Sequence, residues 1–353
     1  MKKNKELEKI RNDIDKVDEE IVKLLNKRTY LAQKTTKLKE DVVFDPKREK
    51  EVLNKISEKS KGPITKESMM NIYHDILSSS REAQKQMRIS FFGPVGSHTH
   101  MAAERKFGAK TEKLGFDSIP EVFLSVIERR AEYGIIPLEN SFEGSVGETL
   151  DQLIFSPVNI VGEISRKIEH SLLSNEKKIS KIKTVYSHPQ AIAQSKNWIQ
   201  NNLKNITIKE VSSTSLAAQI VSKQKYSASI SSETCSNLYN LNILKKSIQD
   251  DKNNSTIFIV IAKEDNEIKI ERNDKVSIVF TLPDKPGSLF ECLKPLKENH
   301  LNLTKIQSRP SKKIHWDYNF FVDILVGSKV NQTKKGLDKI KKIASYFKIL
   351  GAY

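Results

Sequence analysis

Apolar residues recur along one face of about the first 40 residues of the chain. Between Lys5 and Lys39 they return every three or four positions, and neither Gly nor Pro interrupts them. This spacing predicts one long amphipathic helix. The predicted apolar stripe consists of Ile10, Ile14, Val17, Ile21, Leu24, Leu25, Leu31 and Leu38.

Two cations stand on or beside this stripe. Arg28 falls where another apolar residue is expected, and Lys39 follows about three turns later, roughly 16 Å along the axis. Cations at that separation could clamp a small dianion between their long side chains. Alternatively, both side chains could extend to the surface beside the stripe. The helix pattern leaves the two interpretations open.

Two shorter helices are predicted to follow, and together with the first they make up a first domain over residues 1–87. One runs from Asp45 to Ser60, with Pro46 in its first turn, and the other runs from Thr65 to Met87. One long and two shorter helices cannot enclose a core of their own. We therefore expect an all-α dimerising domain with two intertwined copies.

Short apolar strands alternate with helices from Arg88 onwards, and this predicts an α/β domain over residues 88–265 with mostly parallel sheets. The predicted strands are Ile89–Phe92, Tyr133–Pro137, Ile160–Ile164, Thr184–Tyr186, Ile206–Val211, Ala228–Ile230 and Thr256–Ala262. The predicted helices begin at Ser97, Pro120, Gly147, Pro189, Ser213 and Glu233. Ligands of such folds lie beyond the carboxyl ends of the strands.

A charged stretch, Glu264–Lys275, is predicted to be a linker. After it the pattern gives a βαββαβ order, which predicts a ferredoxin-like α+β domain over residues 275–353. Its first strand is expected at Val276–Leu282, and its first helix at Ser288–Glu298. A domain of this size is typical of a small regulatory module.

Composition narrows the function classes. The net charge is +16, but the lysines are scattered and no nucleic-acid-binding motif accompanies them, so we expect no nucleic-acid partner. The two cysteines, Cys235 and Cys292, form no motif, which indicates a reducing compartment. We see no signal peptide and no apolar run of the roughly 20 residues that would span a bilayer. The expectation is a cytoplasmic protein without a membrane association.

The first domain resembles the all-helical chorismate mutase family along its whole length. The residues that match the family pattern are Arg11, Arg28, Lys39, Asp45, Arg48, Glu49, Ser80 and Gln84. The resemblance implies a pericyclic rearrangement of chorismate to prephenate, which needs no cofactor. The protein would hold chorismate in a compact pose and stabilise the charge that develops on the breaking ether oxygen.

The same resemblance assigns roles to these residues. Arg28 and Arg48 would clamp the carboxylates, and Lys39 and Gln84 would act as the catalytic donors to the ether oxygen. Glu49 and Ser80 would hold the substrate hydroxyl and a carboxylate, and Asp45 would belong to the binding site. Arg11 lies about 100° round the helix from Arg28, and the family has it reach across from the partner subunit.

The second domain resembles prephenate dehydratase along nearly its full length. The matching motifs are Phe91–His98, Tyr133–Ser141, Val185–Gln190, Ser213–Ser215 and Asn254–Phe258. The resemblance implies a two-lobed fold like that of periplasmic binding proteins, and a decarboxylating dehydration of prephenate to phenylpyruvate. It assigns the proton donation to Thr256. The residues that would line the pocket are Glu139, Asn140, Ser187 and Gln194.

One residue departs from this pattern. Ile257 stands where the family has Arg beside the pocket, and the loss of a charge-assisted contact costs about 1.5–3 kcal/mol. An impaired dehydratase is therefore an alternative to an active one. The pair His98 and His100 suggests a metal site, but no Cys or carboxylate partner has a suitable spacing, so we expect no metal.

The third domain resembles the ACT regulatory domain of phenylalanine-controlled enzymes. The residues that would bind the effector are Gly287, Ser288, Leu289, Phe290, Gln307, Ser308, Arg309 and Pro310. Gly287 would let a ligand approach the backbone closely. The family has Glu in place of Gln307, so phenylalanine feedback is expected in a weakened form. A purely structural dimerisation domain is the alternative.

The three resemblances together imply a bifunctional chorismate mutase and prephenate dehydratase with a C-terminal ACT domain. Chorismate and prephenate would be the substrates and phenylalanine the effector, without a cofactor, in at least a homodimer. The alternatives are a mutase fused to an impaired dehydratase, or a non-enzymatic amino-acid-sensing binding protein.

Overall fold

A computed structural model describes residues 2–38, 44–108, 111–265, 268–271, 274–310 and 318–353 of the chain. It has two compact units. One contains residues 1–87 and 104–112, and the other contains residues 88–103 and 113–353. Apart from residues 104–112, the second and third predicted domains therefore lie within one unit.

Three helices form the helical unit, as predicted. They are α1 (Lys2–Leu38), α2 (Pro46–Lys59) and α3 (Lys66–Gln84). The Asp45 side chain accepts a hydrogen bond from the backbone N–H of Arg48 at the start of α2, and Thr65 accepts one from Ser68 at the start of α3. Asp45 and Thr65 thus act as N-caps, because each satisfies an N–H group that has no partner within the helix.

The apolar stripe of α1 is exposed within the single chain. Ile14, Leu24 and Leu31 expose 53%, 64% and 53% of their surface, whereas Leu53 of α2 and Leu77 of α3 are buried. The side chain of Leu38 lies outside the described residues. An exposed apolar face of this length indicates that another surface covers it in the working protein.

The rest of the chain alternates strands and helices. The strands are β1 (Arg88–Phe92), β2 (Glu112–Phe116), β3 (Tyr133–Asn140), β4 (Gly144–Ser145), β5 (Val158–Lys167), β6 (Ser171–Ser174), β7 (Thr184–Ser187), β8 (Thr207–Glu210), β9 (Ser227–Ser231), β10 (Asn242–Lys245), β11 (Ser255–Lys263), β12 (Lys275–Leu282), β13 (Asn302–Pro310), β14 (Tyr318–Leu325) and β15 (Tyr346–Ala352). The helices are α4 (His98–Phe107), α5 (Ile119–Ile127), α6 (Gly147–Phe155), α7 (Pro189–Ala193), α8 (Lys196–Asn202), α9 (Thr214–Val221), α10 (Thr234–Tyr239), α11 (Ser288–Glu298) and α12 (Val330–Ile343). None of the helices in the described residues is long and apolar enough to cross a membrane.

Two sheets organise this unit. The large sheet has the order β13-β14-β12-β15-β5-β11-β3-β1-β2, with β4 beside β3, and the small sheet has the order β10-β6-β9-β7-β8. The prediction of mostly parallel sheets is wrong, because β11 is antiparallel to both β3 and β5, and β6 is antiparallel to β9 and β10. The chain leaves the large sheet along β5 and returns along β11, so the two strands run in opposite directions.

The C-terminal part has the predicted βαββαβ order, from β12 to β15. It continues the large sheet, because Gly351 of β15 pairs with Ile160 of β5. A Cβ atom at Gly351 would collide with the carbonyl oxygen of Ile160, so this close approach requires glycine.

Apolar clusters cover both faces of the large sheet. One cluster packs α5 and α6 against residues of β11 and also includes Val279, Phe321 and Leu350 of the C-terminal part. A second cluster lies between α11, α12 and the other face of the C-terminal strands. It includes Ile270, so the predicted linker contributes one residue to this core.

Candidate active and effector sites

In the helical unit, Arg28 of α1 reaches Ser80 of α3. Arg28 Nη1 donates a hydrogen bond of 2.6 Å to Ser80 Oγ, which itself donates to the carbonyl of Ile76 at 2.8 Å. Ser80 is buried, and burial lowers the pKa of the half-buried Arg28 guanidinium although Tyr73 raises it. The structure thus brings together two of the predicted mutase residues on the inner side of the helical unit.

Glu49, a third predicted residue, belongs to a buried ion-pair network. Its carboxylate pairs with Arg81 and lies 3.8 Å from Lys106 Nζ, and Arg81 Nη2 donates to the carbonyl of Lys106 at 2.6 Å. Burial, with the nearby Arg81, lowers the pKa of Lys106 to about 8. Arg81 received no role from the sequence, although it lies next to Ser80 in the matching segment. A buried carboxylate needs such a partner.

The remaining mutase residues are not gathered in the single chain. Arg48 is exposed and pairs with Glu51 at 2.8 Å, while Asp45 caps α2. Arg11 is exposed and Gln84 is half-buried. Lys39 lies outside the described residues. The described residues of one chain therefore bring together only part of the predicted mutase set.

In the α/β unit, Asn140 and Thr256 are paired at the ends of β3 and β11. Asn140 Oδ1 accepts hydrogen bonds from the backbone N–H groups of Phe142 and Glu143 at 3.0 and 3.3 Å, which fixes the orientation of the amide. Its Nδ2 then donates to Thr256 Oγ1 at 2.9 Å and to Asn254 Oδ1 at 2.9 Å. Because Thr256 Oγ1 accepts here, its own proton can be donated elsewhere.

Gln194 and Ser187, the other predicted pocket residues, are held by different partners. Gln194 Oε1 lies 2.9 Å from His170 Nε2, and Ser187 Oγ donates to the carbonyl of Ile230 at 2.7 Å. The ring of His170 lies 5.8 Å from that of His98, centroid to centroid. These contacts place Gln194 beside a histidine pair whose importance the sequence did not indicate.

His98 is a neutral imidazole in this environment. Burial, together with the neighbouring His170 and Arg166, lowers its pKa to about 3. Neither ring nitrogen has a hydrogen-bond partner among the described residues. His100 lies apart from it, since Gly96 N–H donates to His100 Nδ1 at 3.4 Å. His98 and His100 therefore lie in two separate environments.

Ile257 and Glu139 lie on the opposite face of the sheet from Thr256. They stand opposite each other in β11 and β3, one position along from Thr256 and Asn140. Ile257 packs against the apolar cluster of α5 and α6, and Glu139 Oε2 accepts from Lys305 Nζ of β13 at 2.6 Å. The structure therefore does not bring Glu139 into contact with Thr256, and the side chain at position 257 points away from it.

The α/β unit contains a cavity of about 330 Å³. Its lining comes from β5 and the residues after it and from the starts of α4 and α10, and consists of His98, Met101, Arg166, Lys167, Glu169, Ser232, Glu233, Thr234 and Asn237. Arg166 belongs to none of the motifs identified in the sequence. The polar lining is suited to a small anionic molecule.

A smaller cavity of about 140 Å³ lies in the C-terminal part, at the turn before α11. Ser288 and Leu289 line it together with Tyr318 and Phe320, and Gly287 adopts a positive φ of 82° at the helix start. Phe290 points outward and exposes 69% of its surface. The structure therefore gathers two of the four predicted residues of this turn round the cavity.

The other predicted effector segment is divided by strand alternation. Ser308 and Pro310 stand opposite Phe320 and Tyr318 in β14, and so share the face of the small cavity. Gln307 and Arg309 face the other way. Ser145 Oγ donates to Gln307 Oε1, and Arg309 forms a bidentate ion pair with Asp151 of α6 at 2.5 and 2.8 Å. That pair raises the pKa of Arg309.

Comparisons with known proteins match this architecture along the chain. Residues 10–85 match the family model of chorismate mutase type II, residues 89–266 that of prephenate dehydratase, and residues 276–344 that of the ACT domain. The chain is 38% identical to the bifunctional chorismate mutase/prephenate dehydratase of Aquifex aeolicus, over 99% of this chain and 98% of that protein. It is 35% identical to the protein of the same name from Neisseria gonorrhoeae, over 97% and 95% of the two chains.

A solved structure supports the fold of the second unit. The prephenate dehydratase of Arthrobacter aurescens in complex with L-Phe is 27% identical, with a TM-score of 0.70, and the match covers 75% of this chain and 89% of that one. The expected fold class is thereby confirmed, with an all-α N-terminal domain, a two-lobed α/β domain and an α+β ACT domain. The chain belongs to the family of bifunctional chorismate mutase/prephenate dehydratases.

Proposed function

We propose that this chain converts chorismate to prephenate in its helical unit and prephenate to phenylpyruvate in the cleft of its α/β unit. The observation that carries the proposal is the hydrogen-bonded pair of Asn140 and Thr256, placed at the end of two strands in a chain that matches both enzyme families in order. Neither step needs a cofactor, because the first is pericyclic and the second is driven by aromatisation.

The mutase step depends on fixed cations. Arg28 Nη1, held by Ser80 Oγ at 2.6 Å, is already oriented and would bind one carboxylate of chorismate without a further loss of rotamer freedom. Gln84, with Lys39, would donate to the ether oxygen as the C–O bond breaks. Glu49 would act through its buried pair with Arg81, which anchors α2 to α3.

The dehydratase step depends on the proton of Thr256. Breakage of the ring C–O bond leaves hydroxide with the electron pair, and Thr256 would supply the proton that makes it water. The electron pair of the C–C bond to the ring carboxylate enters the ring as carbon dioxide leaves. Asn140 donates to the Thr256 oxygen, so the hydroxyl proton of Thr256 would remain available for donation to the substrate.

We propose further that the protein is a homodimer through α1. The exposed stripe that includes Ile14 and Leu24 would pack against the same helix of a second copy, and Arg11 of that copy would complete the mutase site. An isologous contact of this kind explains why one long helix carries apolar residues that its own chain leaves uncovered.

Phenylalanine is the proposed effector. The cavity formed by Ser288, Leu289, Tyr318 and Phe320 could hold an aromatic amino acid. On the reverse face of β13, Lys305 pairs with Glu139, the residue before Asn140. A ligand that shifts β13 would therefore act on the strand that carries the dehydratase pair.

The test is a time course with the purified protein and chorismate, in which prephenate and phenylpyruvate are followed separately. We expect prephenate to appear first and phenylpyruvate after it. Accumulation of prephenate without phenylpyruvate would identify an impaired dehydratase, and the absence of both products would favour a binding protein. Repeating the assay with L-Phe tests the feedback, since an unchanged rate of phenylpyruvate formation contradicts it.

A further inference from the structure

The loop that orients Asn140 belongs to a small hairpin, formed by β3 and β4, with little burial of its own. In this hairpin Asn140 stands opposite Gly144. The backbone N–H groups of Phe142 and Glu143, which lie in the loop between the two strands, donate to Asn140 Oδ1. Residues 141–143 are exposed. The orientation of the Asn140 amide therefore depends on a segment that burial does little to hold in place.

Strand β13 supplies two polar side chains that contact the far end of this hairpin. Ser145 Oγ of β4 donates to Gln307 Oε1. Arg309 Nε and Nη2 donate to the two carboxylate oxygens of Asp151 in α6, at 2.5 and 2.8 Å. The guanidinium also lies against Gly147, the first residue of α6, where a Cβ atom would be 2.5 Å from Nη1. Strand β13 therefore contacts the chain both in β4 and in the first turn of α6.

The contact between Arg309 and Asp151 is partly shielded from solvent. The two side chains are 28% and 16% exposed, so salt screens their attraction less than it would at the open surface. A pair with two parallel hydrogen bonds also fixes the mutual orientation of the guanidinium and the carboxylate. Because Ser145 lies only two residues before Gly147, a fixed start of α6 also restrains β4.

The face of β13 that carries these side chains is turned away from the small cavity. Gln307 and Arg309 alternate along the strand with Ser308, which stands opposite Phe320 at that cavity. Neighbouring side chains of a strand point to opposite faces. The family resemblance assigns Gln307 and Arg309 to effector binding, whereas their partners in the structure belong to the dehydratase part of the chain.

We propose that Gln307 and Arg309 are positioning residues of the dehydratase, which hold the hairpin of β3 and β4 and so keep the Asn140 amide directed at Thr256. The inference rests on the proposed dehydratase function and gives the two residues a role other than effector binding. They act through the hairpin and not on the substrate. Their loss therefore disturbs the donor pair and lowers turnover, while the binding of prephenate changes little.

The test removes the ion pair from either end, with Arg309→Gln and Asp151→Asn. Without L-Phe, we expect each variant to lower kcat for prephenate about 10-fold and to change KM less than about twofold, because displaced catalytic groups cost up to about 10²-fold. The double variant should be no slower than the slower single variant, since both changes remove one contact. Arg309→Lys should recover part of the rate. The control Arg129→Gln, which removes an exposed pair with Asp265, should leave the rate unchanged.

A calorimetric titration with L-Phe separates this role from effector binding. We expect Arg309→Gln and Asp151→Asn to bind L-Phe as tightly as the wild type does. Weaker L-Phe binding in Arg309→Gln, together with a wild-type kcat in the absence of L-Phe, would assign Arg309 to the effector site and overturn the proposal. Unchanged kcat in both variants would overturn it as well.

Amide hydrogen exchange in the hairpin tests the proposal without any turnover. We expect the Phe142 and Glu143 amides to exchange faster in Arg309→Gln and Asp151→Asn than in the wild type, and equal exchange would contradict the proposed hold on the hairpin. Thermal melting curves show whether the variants are folded. If Arg309→Gln does not fold, Arg309→Lys decides by the same readouts. If the wild type fails to convert prephenate, the proposed function fails, while hydrogen exchange still tests the contact from β13.

Discussion

The two units of this protein differ in how much of a site one chain completes. In the α/β unit, Asn140 and Thr256 meet on neighbouring strands of one sheet, and the hydrogen bond between them is formed within the chain. In the helical unit, Arg28 and Ser80 meet, but Arg11 stays at the surface beside an exposed apolar stripe. A sheet brings distant segments together by its own pairing, whereas the apolar face of α1 stays exposed within its own chain.

The largest difference between the activities of the two units is expected when the proposed proton donor is removed. We expect Thr256→Val to lower dehydratase turnover by about 10²- to 10⁴-fold, the usual contribution of a positioned acid, and to leave mutase turnover unchanged. Both rates can be measured on one sample. The matched control is Thr333→Val, which removes another buried hydroxyl, bonded to the carbonyl of Lys329, far from the chemistry. Equal losses in the two variants would assign Thr256 a structural role.

Charges placed on the apolar stripe of α1 should instead lower the mutase activity and leave the dehydratase activity. Ile14→Glu with Ile21→Glu would bury two carboxylates in the proposed interface, so we expect dissociation to monomers, visible by light scattering. Mutase turnover should fall roughly 10- to 100-fold or more, because the partner's Arg11 is lost. Phenylpyruvate formation from added prephenate should persist.

Lys23→Glu is the control for this experiment. It adds a carboxylate about 200° round the same helix from Ile21, on the polar face. A dimer that survives the Ile14→Glu and Ile21→Glu changes, or a Lys23→Glu variant that dissociates as well, would contradict the proposed interface.

The sequence predicted well the helices whose starts are set by local hydrogen bonds. It predicted less well the strands that depend on neighbours distant in sequence. The starts of α2, α3 and α9 were predictable because Asp45, Thr65 and Ser213 cap them through hydrogen bonds to residues three positions on. The strands β2, β6 and β10 were missed, since each is only four or five residues long and gains its stability from neighbours that are distant in sequence.

The candidate site shows the same limit. The sequence identified Thr256 and Asn140 through motifs, but it placed Glu139 and position 257 at the same pocket. Alternation along a strand could have separated Ile257 from Thr256. Which residue of β5 stands opposite Thr256 depends on the register of the sheet, which no local pattern reveals, and so the position of Arg166 opposite Thr256 could be found only from the structure.

A smaller effect is expected from His98, and it can be measured as the pH dependence of the free energy of unfolding. His98 has a pKa of about 3 when folded and of about 6.5 when unfolded. Between these values the unfolded chain binds more protons, so the contribution of His98 to the free energy of unfolding falls as the pH is lowered. We expect a loss of about 2 kcal/mol between pH 6 and pH 4 from this group.

The variant His98→Phe isolates this contribution. Its free energy of unfolding in urea should depend less steeply on pH than that of the wild type over the same interval. His170, whose pKa burial also lowers, remains in both proteins, so its effect cancels in the difference. Parallel curves for the two proteins would mean that His98 titrates in the folded protein as it does in water.

The smallest expected effect concerns the contact between the ACT strand β13 and the dehydratase sheet. Lys305→Gln removes the ion pair with Glu139, whose two side chains are 24% and 31% exposed. A pair this exposed is worth at most about 1 kcal/mol, so we expect the L-Phe concentration for half-inhibition to change by no more than about fivefold.

The control is Lys339→Gln, which removes the exposed pair with Glu298 and should leave the L-Phe concentration for half-inhibition unchanged. Because Lys305 lies on the face of β13 opposite the small cavity, a shift confined to Lys305→Gln would mean that phenylalanine acts on Asn140 through this pair. An equal response in both variants would mean that the signal takes another route.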